Sequence, residues 1–142
     1  MSIAIDAARA IVAELNAGEF SQEFVAKMKL IPAYELSELR ELKVTVVPKL
    51  IEVSPASRAS TQLRVKVDIG IQKRISKNLI SDCQALLKLA DEILTFLRKR
   101  KLQDAPEFVY AEAQNDPLYD PGLLEEKRTF TGVITLTYLV LR

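Results

Sequence analysis

The sequence contains no histidine, which removes the side chain that most often serves as a general base near neutral pH or as a metal ligand. A single cysteine, Cys83, excludes an internal disulfide and any zinc site built on several cysteines. The four glycines, Gly18, Gly70, Gly122 and Gly132, lie far apart, which excludes a glycine-rich phosphate-binding loop. These absences predict no catalytic residue, no metal site and no cofactor, so we expect a protein that is not an enzyme.

No segment has the pattern of an export signal or a membrane span. The first residues are apolar but include Asp6, Arg9 and Glu14, whereas a signal needs an uncharged apolar centre and a span needs about 20 apolar residues. Twenty Lys and Arg against nineteen Asp and Glu give a net charge of +1, so no overall field attracts nucleic acid. The 142 residues, 49% of them hydrophobic, fit one soluble domain over residues 1–142.

The clearest pattern is an unbroken alternation of apolar and polar or small residues between Leu63 and Ile71. A period of two predicts a β-strand with one buried face and one wet face. A second strand is predicted from Leu42 to Val53, in which Pro48 breaks the strand or marks an edge or a bulge. The polar segment 54–61 has the composition of a loop, so these two strands are expected to form a long hairpin.

Two amphipathic helices flank this hairpin. Ser2 is a suitable cap for the first, and Gly18 a suitable stop. The second has an apolar stripe from Leu79 to Leu97 that includes Cys83 as a buried, inert thiol, and its start is assigned to a capping box of Ser81 and Gln84. Further strands are predicted over residues 24–30, 108–113 and 129–141, a helical turn over 34–41, and turns over 115–124. The predicted fold is α+β, with an antiparallel four- to five-stranded sheet and two main helices packed on one face.

Charge is segregated along the chain. Residues 40–77 hold nine Lys or Arg against three Asp or Glu, whereas residues 103–126 hold seven Asp or Glu and no Lys or Arg. These regions can pair within one fold as neighbouring strands, or between subunits in a head-to-tail contact that closes into a ring. The candidate subunit-interface residues are Arg58, Arg64, Lys66, Glu107, Glu112, Asp116 and Asp120.

A compact basic run ends the second helical segment. Its four cations are Arg98, Lys99, Arg100 and Lys101. They are either contacts for DNA phosphates, which would line a channel, or cations that complete a helix C-terminus. We favour the second interpretation, since no aromatic residue is interleaved as in proteins that bind single strands.

Three segments resemble parts of small proteins that long-tailed bacteriophages encode among their head–tail joining and tail genes. They are residues 38–48 (ELRELKVTVVP), 67–74 (VDIGIQKR) and 130–138 (FTGVITLTY). The group is similar to the tail terminator, or tail completion, proteins. The resemblance spans most of the chain, but it does not separate a tail terminator from a head-closure protein or another neck component.

The resemblance implies a homohexameric ring that ends the growth of the tail tube. The implied partners are further copies of the chain, the tail tube protein and the head–tail connector or head-closure protein, with genomic DNA passing through the centre and no membrane involved. The implied location is the neck of the virion, after synthesis in the cytoplasm of the host bacterium. The residues themselves leave open a small cytoplasmic module whose basic hairpin binds nucleic acid.

Overall fold

The computed structural model describes residues 2–76 and 78–142 and contains three α-helices, five strands and a short 3₁₀ helix. In chain order these are α1 Ile3–Ala17, β1 Ala26–Met28, the 3₁₀ helix Glu38–Arg40, β2 Lys43–Pro55, β3 Thr61–Arg74, α2 Leu79–Leu97, β4 Val109–Asn115, α3 Pro121–Lys127 and β5 Thr129–Leu141. The sheet order is β1-β2-β3-β5-β4, with β1 parallel to β2 and every other pair antiparallel. The α+β class is therefore confirmed. The predicted antiparallel sheet with two main helices is compatible with this fold but not exact, because β1 is parallel to β2 and α3 is an additional short helix.

The alternation in β3 separates the two faces of the sheet as predicted. Val65, Val67 and Ile69 are fully buried, and the neighbouring β5 presents buried side chains in register with them. The buried stripes of α1 and α2 complete this core, each large apolar side chain contributing about 1.5–3 kcal/mol. The principal helix and β5 residues of the core are Ile11, Leu15, Leu86, Leu89, Ile93, Leu97, Ile134, Leu136 and Tyr138.

The β2–β3 hairpin is the longest local unit of the fold. Its pairing runs from Lys43 opposite Gln72 to Pro55 opposite Thr61. The register shifts between Pro48 and Leu50, so of the alternatives left open for Pro48 the structure shows a bulge or irregularity within a continuous strand rather than a break. The hairpin extends well past β1, which accompanies β2 only over residues 44–46.

The helix ends differ in part from the predicted ones. Ser2 caps α1 and accepts a hydrogen bond from the Ile5 N–H at 3.4 Å, and Gly18 follows the helix, both as expected. The capping box in α2 was wrong, because the helix starts earlier, at Leu79, and the cap is Asn78, whose side chain accepts from the Ser81 N–H at 3.1 Å.

Two segments were assigned incorrectly or incompletely. The strand expected over residues 24–30 is only the three residues of β1, and it is parallel to β2 because residues 29–42 return the chain to the same end of the sheet. The turns predicted over 115–124 hold for the first part, but α3 begins at Pro121 with Asp120 as its cap. Proline at the first helical position after an Asp cap is a known helix start.

Candidate interface on the outer face and edges of the sheet

The outer face of the sheet, opposite α1 and α2, carries two of the candidate interface residues, Arg64 and Lys66. They alternate along β3 with the buried Val65 and Val67, so both side chains leave the sheet on the side away from the core. Their side chains are 33% and 27% exposed, respectively. The expected wet face of β3 is thus confirmed as a partly exposed charged surface.

Ion pairs within the chain neutralise much of this surface. Arg64 Nη2 lies 2.9 Å from Glu112 Oε1, which joins the basic region to the acidic one across the intervening strand β5. Lys66 Nζ lies 3.4 Å from Glu52 Oε1 on β2. Exposed pairs of this kind contribute about 0–1 kcal/mol each, so they orient side chains more than they stabilise the fold.

Asp68 forms a further anchor on the same face. Its Oδ1 accepts a hydrogen bond from Thr135 Oγ1 at 2.6 Å and lies 3.6 Å from Lys49 Nζ. The outer face is therefore linked from β2 through β3 to β5 and, by Arg64, to β4.

Arg58 occupies the turn that joins β2 to β3. The turn is closed by Ser57 and Ser60, whose Oγ atoms are 2.8 Å apart, and by the Ala56 N–H, which donates to the Ser60 carbonyl at 3.1 Å. Arg58 is exposed, and no residue in the described part of the chain forms an ion pair with it. It is a cation at the tip of the hairpin, available to another molecule.

The acidic candidates have three different settings. Glu107 is exposed just before β4, and within residues 2–76 and 78–142 it has no salt bridge. Asp116 accepts a weak hydrogen bond from Gln114 Nε2 at 3.4 Å. Asp120 accepts from the Leu123 N–H at 3.1 Å as the cap of α3, so its position serves the local fold. Lys77, the last cation of the basic region, lies outside the described residues.

The basic run starts at the C-terminal end of α2. The helix ends at Leu97, Arg98 is its cap residue, and Lys99 adopts a left-handed conformation with φ of 57°. All four cations therefore lie at or directly after the C-terminal cap of α2, and none is in its last turn. Arg98, Lys99 and Lys101 are exposed.

Arg100 differs from its neighbours in the run because it binds a buried carboxylate. Its Nε donates to Glu14 Oε1 at 2.6 Å, and its guanidinium lies 4.0 Å from the centre of the Phe96 ring. Glu14 also accepts from the Gln103 N–H at 2.9 Å through its other oxygen. Arg100 therefore connects the segment after α2 to α1. This ion pair explains the position of the Arg100 side chain without a contact to DNA.

The pKa of Glu14 reflects this pairing. Burial opposes ionisation of the carboxyl, but the hydrogen bonds from Arg100 and Gln103, together with the positive charge of Arg100, outweigh it and hold the pKa below its ordinary value. The carboxylate is thus charged at neutral pH and compensated.

Cys83 carries the only thiol of the sequence. Cys83 is half-buried rather than buried, and burial, followed by the nearby charge of Asp82, raises the pKa of its thiol. A raised pKa leaves the thiol protonated and weakly reactive at neutral pH. Across residues 2–76 and 78–142, no three His, Cys, Asp or Glu side chains gather as a metal site would require. In the same residues, none of the helices has the length and apolar character needed to cross a bilayer.

Sequence reasoning missed two features of this surface. The Glu14–Arg100 pair joins residues 86 positions apart, and the only local signal was a carboxylate beside the apolar stripe of α1. The second is the extent to which the edge of β2 beyond Val46 lacks a neighbouring strand in the described residues. Pro48 indicated an edge as one alternative, but the shortness of β1, which leaves this edge open, has no local signature. The comparison of this sequence with known protein families and with curated proteins finds no match.

Proposed function

We propose that this chain is a structural protein of the neck of a tailed bacteriophage. In this proposal it is a tail terminator that assembles into a homohexameric ring, caps the tail tube and presents a surface to the head connector. It acts by contact with other proteins and performs no catalysis. Its site of action is the virion neck, through which genomic DNA passes.

The resemblance to phage neck proteins supports this proposal because of where the three resembling segments lie in the sheet. Residues 38–48 include the 3₁₀ helix and the first part of β2, residues 67–74 are the second half of β3, and residues 130–138 lie in β5. These three strands are neighbours in the sheet. The resemblance therefore concerns one continuous structural unit, which supports a shared fold more strongly than a shared contact surface.

One observation carries the proposal: the distal half of the β2–β3 hairpin extends past β1 with apolar side chains uncovered. Val53 is 67% exposed and Ile51 is 39% exposed, although β-branched residues in a strand usually pack against a neighbour. Exposed apolar residues grouped on a projecting strand are typical of protein contact sites. A ring subunit requires such a surface.

The alternative, a nucleic-acid module that uses the basic hairpin, has weaker support. Lys49, Arg64 and Lys66 each already face a carboxylate of the same chain, which lowers their capacity to neutralise phosphates. Titration of the purified chain into labelled duplex DNA is expected to give weak binding with a shallow salt dependence. Tight binding that falls steeply with salt would favour the alternative.

A gene deletion tests the proposed function directly. A phage lacking this gene is expected to release filled heads separated from tails, with tails of irregular length, and a plasmid copy of the wild-type gene should restore joined particles. Complementation by Val53→Asp should fail, while the exposed control Val25→Asp should succeed. Normal joined particles from the deletion phage would contradict the proposal.

A further inference from the structure

The outer edge of β2 is open over most of its length. β1 covers only Val44–Val46, and the Lys29 N–H adds one hydrogen bond to the Val46 carbonyl at 3.0 Å. In the described part of the chain, the remainder of β2 up to Pro55 pairs only with β3. An open strand edge presents backbone N–H and C=O groups that can pair with another strand.

The opposite edge of the sheet is also open. There, within residues 2–76 and 78–142, β4 (Val109–Asn115) pairs only with β5. The successive antiparallel pairings β2–β3, β3–β5 and β5–β4 make β4 run opposite to β2. A second copy in the same orientation would therefore bring its β4 beside β2 as an antiparallel neighbour, with the ladder geometry of an ordinary sheet.

The two edges also match in position along the strands. We follow the residue pairings from β4 through β5 and β3 to β2. Val109 is level with Glu52, by way of Leu139 and Arg64, and Ala113 is level with Pro48. The part of β4 from Val109 to Ala113 thus stands at the height of β2 that β1 leaves open. β1 would not obstruct a strand at that height.

The unpaired charges near the two edges are complementary. Glu107 precedes Val109 at the end of the sheet towards which the hairpin turn projects, and Arg58 lies in that turn. Both residues are exposed, and neither has a salt bridge within residues 2–76 and 78–142. An edge-to-edge contact places the free cation of one copy beside the free carboxylate of the next.

We propose that copies of this chain join edge to edge, with Leu50–Ser54 of β2 in one copy pairing antiparallel with β4 of the next and Arg58 facing Glu107 across the contact. Pro48 and Pro55 bound the pairing segment and limit its length, because proline has no N–H to donate to a ladder. The contact uses two different surfaces, so it propagates head to tail and closes when the rotation permits. This mode of contact rests on the proposed ring function.

Paired cysteine substitutions test this contact in the full-length chain. In a Cys83→Ser background, one chain carries Glu52→Cys and a second carries Val109→Cys, two positions on the same face and at the same level. The chains are mixed at high concentration with a short bismaleimide, and the same pair is examined in assembled phage particles. The control mixture replaces Val109→Cys by Ser81→Cys, an exposed position on α2.

The expected result is a covalent heterodimer from the Glu52→Cys and Val109→Cys mixture, well above the control. Adding Arg58→Glu to the first chain should lower the cross-linked fraction about tenfold, and adding Glu107→Arg to the second chain should restore it. Cross-linking no higher than the control in both solution and particles would overturn the edge contact, as would Glu52→Cys chains that cross-link only to each other.

The outcomes also separate this inference from the proposed function. A protein located in the virion neck without the cross-link would overturn the edge contact and leave the neck function standing. A specific cross-link from a protein absent from virions would retain the contact and overturn the function.

Discussion

The two halves of β2 belong to one strand but have different surroundings. In the first half, Val44 and Val46 are at most 1% exposed and lie between β1 and β3 above the helices. In the second half, Ile51 and Val53 are substantially exposed, and β3 is the only neighbouring strand among the residues that the structure describes. The second half of β2 remains rich in β-branched residues although it no longer contributes to the core. The requirements of folding alone do not explain this enrichment. The contact with a second copy that we propose would account for it.

The largest expected effect contrasts the two halves with the same substitution. Val46→Asp places a carboxylate where no partner compensates it and should lower the free energy of unfolding by about 3–5 kcal/mol. Val53→Asp, at an exposed position, should change it by no more than about 0.5 kcal/mol. Urea denaturation followed by circular dichroism measures both. Equal losses would mean that the distal half is part of the folding core.

A second contrast separates Arg100 from the rest of the basic run. Arg100→Ala leaves the buried Glu14 carboxylate without its charged partner and should cost about 1.5–3 kcal/mol of unfolding free energy. The matched control Lys101→Ala removes an equal charge from an exposed side chain and should cost no more than about 0.5 kcal/mol. Thermal or urea unfolding distinguishes them, and a neutral Arg100→Ala would refute the structural role assigned to this residue.

The Glu14 pair also predicts a pH dependence. Because the pKa of Glu14 is lower in the folded state, the unfolded chain binds the proton more readily as the pH falls below the ordinary value of 4.5. The stability from this group is present above that pH and is lost as the pH drops through the folded-state pKa. The difference in urea midpoint between wild type and Glu14→Gln should shrink from pH 7 to pH 3. A difference that grows on acidification would contradict the assignment.

The smallest effect concerns the outer face. A double-mutant cycle with Arg64→Ala and Glu112→Ala should give a coupling free energy of at most about 1 kcal/mol, since both side chains are partly exposed. The coupling should fall further in 1 M salt, where the screening length is about 3 Å. A coupling well above this value would show that the outer face contributes substantially to folding.

Features encoded in local patterns were predictable from the sequence. The alternation from Leu63 to Ile71 indicated which face of β3 is buried, because side chains on a strand alternate regardless of what lies beside it. Ser2 identified the start of α1 through its side-chain oxygen, and Pro48 marked the bulge in β2 through its missing N–H.

Features that depend on distant partners were not predictable in this way. The direction of β1 depends on the path of residues 29–42, and three residues carry too little pattern to indicate it. The partner of Arg100 lies 86 positions away on α1. Among the candidate interface residues, Arg64 and Glu112 pair with each other within the chain. Only the structure shows that Arg58 and Glu107 lie near opposite edges of the sheet with no salt bridge to any described residue.

Localisation of the protein in intact virions tests the central claim most directly. An affinity tag is placed before Ser2, because the carboxyl-terminal Arg142 exchanges backbone hydrogen bonds with Thr61 in the hairpin. Tagged infectious particles are then labelled with a gold-conjugated antibody and imaged by electron microscopy. The account predicts label at the junction between head and tail. Label elsewhere on the particle, or purified virions without the tagged chain, would contradict it.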